Sequence, residues 1–299
     1  MSLPGRVLAR ILPYVPKSVA GLAARRYIAG ETLEDGIDTA ATLSQQGFRT
    51  TLDLLGEDTT NREHARRALD GYQRTLEAIE ARGIDGNVSV KPTQFGLRVD
   101  PKLCLELFQT LADEARRLGH FVRVEMEDSS VTDRTLALFR QLRRDFENVG
   151  LVLQSCLRRT ASDLEGLLDL SPNVRVVKGV YVEPSALAWQ DRQTIRDRFV
   201  ALSETLIGHG SFVAFATHDD YLIDHALRLV AEHGVPPSTY EFQMLLGVRP
   251  EIGKRVLDSG HPVRIYVPFG SDWHRYSMRR LRENPRIAGY VVRSLLTGR

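Results

Sequence analysis

Arg279 and Arg280 stand side by side in the stretch SDWHRYSMRRLRENP, Ser271 to Pro285. Ser271 or Asp272 can cap a helix there, and Pro285 ends it. At about 3.6 residues per turn, Tyr276, Arg279, Arg280 and Glu283 share one stripe, with Trp273, Met278 and Leu281 opposite. Paired guanidinium groups on one face suit a carboxylate; a solvated helix face is the alternative. Lysine is scarce, with only Lys17, Lys91, Lys102, Lys178 and Lys254 among the 40 basic residues, so Lys91 and Lys178 at informative positions draw notice. A lysine at a strand end could form a Schiff base if burial or a second cation lowered its pKa. Carboxylates with His218 could hold a divalent metal, but no His-x-His or two-His-one-carboxylate spacing is visible, and no metal is expected. A third chemistry is a large cofactor across a cleft, with Arg175, Lys178, Thr217 and His218 on its phosphates and ring edges and the arginine pair on a small acid.

Those residues follow short β-branched runs that recur along the chain: RTTLDLL from Arg49, NVSVKP from Asn87, FVRVEME from Phe121 and VGLVLQS from Val149. VRVVKGVY from Val174, SFVAFATHD from Ser211, YEFQMLLG from Tyr240 and VRIYVPFG from Val263 complete the series. Helical patterns such as LCLELFQTLADEARRLG and DYLIDHALRLVAEHG lie between them, several closed by glycine. Such alternation implies parallel strands joined by right-handed crossovers. Eight units in this length fit an α/β protein with a closed (β/α)8 barrel; a doubly wound sheet is the alternative, but no Gly-rich phosphate loop follows the first strand. Alternation along the strands places Arg123, Glu125, Glu127 and Arg175 inside the barrel near the strand C-termini, at its mouth, where unpartnered charges are costly. The strand ends then supply Glu57, Lys91, Glu125 with Glu127 and Asp128, Gln154, Lys178 with Tyr181, Thr217 with His218, Gln243 with Leu245, and Tyr266. The arginine-bearing helix follows the eighth strand and so starts at that same face.

The 299 residues are 42% hydrophobic and 26% charged, sufficient for one large core. A net charge of +2 gives no electrostatic case for nucleic acid. Cys104 and Cys156 lie in apolar runs and read as buried thiols in a reducing, cytoplasmic compartment. No apolar run approaches the roughly 20 residues that span a bilayer. RVLARILPYVPK near the N-terminus is a poor signal peptide, with two prolines and a short apolar core; it reads as a docking helix that could also touch a membrane surface. With no linker or low-complexity tract, residues 1–30 are expected as an N-terminal helical segment and 31–299 as a single barrel domain.

In combination, ETLEDGIDTA, LDLLGE, VSVKPTQFGL, EMEDS, VLQS, VRVVKGVY, FATHD, EFQML and VRIYVPFGSDW followed by Y-x-x-R-R resemble the proline dehydrogenases, in the correct order from about Glu31 onward. The resemblance implies a distorted (β/α)8 barrel with extra N-terminal helices and a C-terminal helix over the barrel mouth. It implies FAD as cofactor and oxidation of L-proline to Δ1-pyrroline-5-carboxylate, with hydride passing from C5 to flavin N5 and electrons to a membrane quinone. Peripheral contact with the inner face of the membrane and a pyrroline-5-carboxylate dehydrogenase partner follow from the same likeness. By position, Arg279 and Arg280 match the clamp on the proline carboxylate, with Lys91 as a third cation. Tyr266, Tyr276 and Leu245 match the walls around the ring, and Glu57 the acid that pairs with Arg279. Glu125 and Arg175 match catalytic positions, Arg175 beside flavin N5. Met126 and Gln154 match flavin-ring contacts, and Val177, Lys178, Gly179, Thr217 and His218 line the rest of FAD. The chain departs from the family in having Glu125 where aspartate is usual, and Leu246 and Cys156 where relatives carry tyrosine. Read from the residues without the likeness, a Schiff-base lyase using Lys91 or Lys178 and a non-catalytic carboxylate binder both stay open.

Overall fold

A computed structural model describes residues 26–273. The sequence-predicted runs form eight parallel strands: β1 Arg49–Leu54, β2 Gly86–Val90, β3 Val122–Val124, β4 Val149–Gln154, β5 Val174–Val177, β6 Val213–Ala216, β7 Tyr240–Leu245 and β8 Val263–Phe269. Each pairs with its neighbours in order, and β1 closes on β8 from Arg49↔Arg264 to Leu54↔Phe269, making a closed barrel. Closure removes the exposed sheet edges.

Helices α1 Leu33–Gln45, α2 Arg62–Ala81, α3 Pro101–Arg117, α4 Thr132–Asp145 and α5 Thr160–Glu165 alternate with the first strands; α6 Arg192–Gly208, α7 Asp220–Glu232 and α8 Pro250–Asp258 follow. Their starts are chemically marked. Thr32 and Asp35 form a capping box on α1, Asn61 caps α2, and Asp100 caps α3 ahead of Pro101. The core lies between strands and helices, where Val88, Val122, Leu151, Val174, Val213 and Phe242 are fully buried. Along the β2–α3 side, Phe95 packs between Tyr72 and Phe108, with ring centroids 5.8 and 4.9 Å away.

Helix α1, which precedes the first strand, packs against both β1 and β8. That is the groove the helix after the last strand would occupy in a regular barrel, so the chain beyond β8 need not return there. Gly36 makes the close approach possible, because a Cβ there would lie 2.9 Å from Phe269 Cγ. Residues 26–30, expected as part of a helical segment, run here as a turn and loop. Their backbone joins the end of β8, Ala29 N donating to Pro268 O and Gly270 N to Gly30 O, each at 2.9 Å. The earlier N-terminal segment and the expected helix over the mouth lie outside the described residues.

Two inward charges sit differently from the sequence expectation. Arg123 is not at the mouth but deep in the barrel, 1% exposed, donating to Asn173 O at 2.8 Å and Asn173 Oδ1 at 2.7 Å. Gly150 on the next strand leaves it room, since a Cβ there would collide with its guanidinium. Glu127 turns away from the mouth because β3 ends at Val124 and strict alternation ends with it. Its carboxylate accepts from Thr93 N at 2.9 Å and Thr93 Oγ1 at 2.6 Å, pinning the loop after β2.

The Gly36 contact predicts a packing cost. Relative to Gly208→Ala in α6, where an added Cβ meets nothing within 4 Å, Gly36→Ala should lose about 1–3 kcal/mol more in urea unfolding. Equal effects would show that α1 does not depend on this approach.

Candidate active site

The C-terminal ends of the strands enclose a cavity of about 250 Å³. Arg175 and Tyr266 line it from β5 and β8, with Lys91 just after β2 and Glu125 just after β3. Met126, Gln154, Val177, Lys178, Gly179, Tyr181, His218 and Leu245 share the wall. Glu125 and Met126 both face the cavity although adjacent, again because the strand has ended.

One oxygen organises the floor. Glu125 Oε1 accepts from Arg175 Nη1 at 2.6 Å, from Tyr266 Oη at 3.1 Å, and from Ser89 Oγ. The Arg175 guanidinium also lies 5.3 Å from the Tyr266 ring centroid. Burial alone would raise the Glu125 carboxyl. The charges of Arg175 and Lys91 and the Ser89 hydrogen bond outweigh it and hold the group below the ordinary glutamate range. Glu125 is therefore ionised at neutral pH.

Lys91 donates to Asp53 Oδ1 at 2.9 Å, in a pair with side-chain exposures of only 8% and 0%. Asp53 was not singled out from the sequence. Its signal was present, because alternation in RTTLDLL places Arg49, Thr51 and Asp53 on the barrel's inner face. Asp53 Oδ2 has no hydrogen-bond partner among the described residues.

At the rim, Asp219 gathers three cations: Arg196 at 2.6 Å, Lys178 at 3.1 Å and Arg192 at 3.4 Å. Burial pushes its carboxyl up, but the Arg196 and Lys178 contacts prevail and hold it well below the usual range. Thr217 does not line the cavity; its hydroxyl accepts from Asp219 N at 3.2 Å and so shapes this rim. His218 Nε2 accepts from Leu245 N at 3.0 Å, tying the ends of β6 and β7 and leaving the ring proton to Nδ1. Arg192 and Arg196 were missed in sequence because they sit on α6, not at a strand end.

Glu57, after β1, is half-buried and outside the cavity lining. Its expected partner Arg279, with Tyr276 and Arg280, lies outside the described residues. Cys156 packs against Leu157 and Ala188, and burial raises its thiol to about 11. Leu246 packs half-buried against the main core.

A family model described as Proline dehydrogenase matches residues 36–293. Proline dehydrogenase 1 of Bacillus subtilis subsp. natto is 38% identical over 275 residues, covering 92% of this chain and 91% of that protein. The proline dehydrogenase of Deinococcus radiodurans is 37% identical over 280 residues, covering 92% and 90%. The chain belongs to the proline dehydrogenase family. It is similar as well to the bifunctional protein PutA of Escherichia coli (strain K12), at 25% identity, but spans only 24% of that longer protein. The solved structure of proline utilization A from Bdellovibrio bacteriovorus shares the fold, with a TM-score of 0.81 at 22% identity over 88% of this chain and 32% of that one. This proline dehydrogenase therefore spans about a third of that larger protein.

The depressed Glu125 carboxyl has a pH signature. A lowered folded pKa contributes stability in full above the unfolded value, near 4.3, and loses it as pH falls through the folded value. Glu125→Gln should therefore differ most from wild type in unfolding free energy near neutrality, with the gap narrowing below about pH 4. A gap unchanged on acidification would show that ionisation of Glu125 contributes nothing to stability.

Proposed function

We propose that the barrel mouth binds FAD and that this proline dehydrogenase oxidises L-proline to Δ1-pyrroline-5-carboxylate, with electrons passing to a membrane quinone. The observation that carries the reading is Arg175. Arg175 lines the cavity, Glu125 and Gln243 hold its guanidinium on two sides, and its buried Nη2 has no hydrogen-bond partner among the described residues. A cation fixed in a buried site stabilises negative charge developing on a group above it.

The donor set fits a flavin nucleotide. Met126, Gln154 and Val177 offer a wall of limited polarity to a flat ring, and the three cations around Asp219 suit a diphosphate. Gly179, at φ 104°, packs where any Cβ would strike Cys156 Sγ, so the backbone itself forms this part of the wall. When bound, the flavin supplies the hydride acceptor.

The chain's own residues bind and orient. Oxidation removes a hydride from C5 and a proton from nitrogen, leaving a C=N bond. Ionised Glu125 accepts a hydrogen bond from the substrate nitrogen, and Tyr266 and Leu245 wall the ring. Lys91, held by Asp53, adds positive charge beside the carboxylate. The clamp by Arg279 and Arg280, the Tyr276 wall and the Glu57–Arg279 pair are supported by the resemblance alone. The Schiff-base alternative loses support, because Lys91 and Lys178 are each committed to a carboxylate and an ion-paired ammonium is a poor nucleophile. Among the described residues no helix is long and apolar enough to cross a membrane; peripheral contact with the membrane is the proposed route to the quinone. A pyrroline-5-carboxylate dehydrogenase partner is the natural consumer of the product.

Denatured protein should release FAD, and anaerobic L-proline should bleach the flavin absorption of the intact enzyme. Colourless protein, or a flavin that proline does not reduce, would overturn the reading.

Arg280→Met should raise the KM for proline by at least about a hundredfold with flavin content unchanged, because a bidentate partner of the carboxylate is lost. Equal saturation by proline would assign Arg280 to solvent.

A further inference from the structure

Below the mouth, the barrel interior carries an unbroken line of polar contacts. Arg175 Nε donates to Gln243 Oε1, and Gln243 Nε2 donates in turn to Glu241 Oε1. Arg264 Nε reaches both Glu241 oxygens, at 2.9 and 3.0 Å, and Arg264 Nη1 donates to Thr50 O at 2.6 Å. Arg175, Gln243, Glu241 and Arg264 are all 7% exposed or less. Glu241 and Gln243 are two apart on β7, so both point inward.

The Gln243 amide lies between a group that only donates and a group that only accepts. One orientation satisfies both; the flipped one sets NH2 against the guanidinium and the carbonyl against the carboxylate. Glu241, itself clamped by Arg264, thus selects the orientation in which Gln243 presents an acceptor to Arg175. Gln243 Oε1 and Glu125 Oε1 hold different edges of the guanidinium, fixing its plane and height.

We propose that Gln243 and Glu241 are positioning residues for the oxidation: the lower barrel, through Arg264, Glu241 and Gln243, sets how Arg175 is presented to the reacting group. This rests on the reading that Arg175 serves proline oxidation.

Steady-state kinetics of the flavin-loaded enzyme test it. Gln243→Met keeps the side-chain length and removes both polar ends, so kcat should fall about tenfold while the KM for proline stays within about threefold. Gln243→Glu keeps both contacts only while its new carboxyl is protonated and can donate to Glu241. As pH rises it ionises and faces Glu241 charge to charge, so its kcat relative to wild type should fall with pH, whereas the Gln243→Met ratio stays flat. In an Arg175→Lys background, Gln243→Met or Glu241→Gln should cost less than about a further twofold, since the group they align is gone. Losses that add fully to that of Arg175→Lys, or wild-type kcat in Gln243→Met, would overturn the proposal. If Gln243→Met does not fold, the pH series on Gln243→Glu decides alone: a ratio independent of pH overturns it. Wild-type enzyme that does not oxidise proline would fail the functional reading instead, and is scored before any variant.

Discussion

A charge inside a closed barrel must be answered by an opposite charge or by hydrogen-bond partners within reach, because neither solvent nor a strand edge is available to it. Barrel interiors are commonly filled with branched apolar side chains. This one is filled with ions and amides: Arg264 with Glu241, Lys91 with Asp53, Arg175 with Glu125. Replacing such pairs by well-packed apolar residues is often neutral or stabilising, so their presence is poor evidence for stability and better evidence for a function that needs fixed charges.

The rim follows the same logic with less burial. Asp219 lets three basic side chains approach one another, and its own position is held by Thr217 and by the turn into α7. Beside it, His218 spends its Nε2 on the Leu245 backbone, so a titratable ring serves as a strut between strand ends. The unusual place of α1 belongs to this arrangement. By covering β1 and β8 it completes the helical ring without the chain that follows β8, which is the chain carrying Tyr276, Arg279 and Arg280.

Much of this was legible in the residues. The eight β-branched runs predict every strand, because parallel barrel strands must bury one apolar face against helices, and that leaves a period-two record. Lys91, Glu125, Arg175, Lys178, His218 and Tyr266 were visible as polar residues at strand ends. The reading strayed where period two stops applying. Beyond Val124 the backbone is no longer pleated, so Glu127 turned to Thr93 and Met126 to the cavity. Arg123 was assigned to the correct face at the wrong depth, since alternation reports direction but not height along the barrel axis. Asp53 hid inside an apolar-looking run, and Arg192 and Arg196 hid on a helix whose face toward the rim is defined only in three dimensions.

The longer carboxylate at position 125 shows how depth and length interact. With Lys91 already committed to Asp53, Glu125 is not needed to neutralise that lysine. Its extra methylene carries Oε1 across the barrel floor, where it meets donors from β2, β5 and β8 at once. A shorter aspartate on the same backbone would have to give up reach on at least one side, because closure fixes the distances between strands. The charges of Arg175 and Lys91, with the hydrogen bonds from Ser89 and Arg175, explain why the group stays ionised despite its burial. Length, register and charge therefore act together: the glutamate ties Tyr266, proposed above as a wall of the substrate site, to Arg175, proposed above to face the cofactor, through a single oxygen atom.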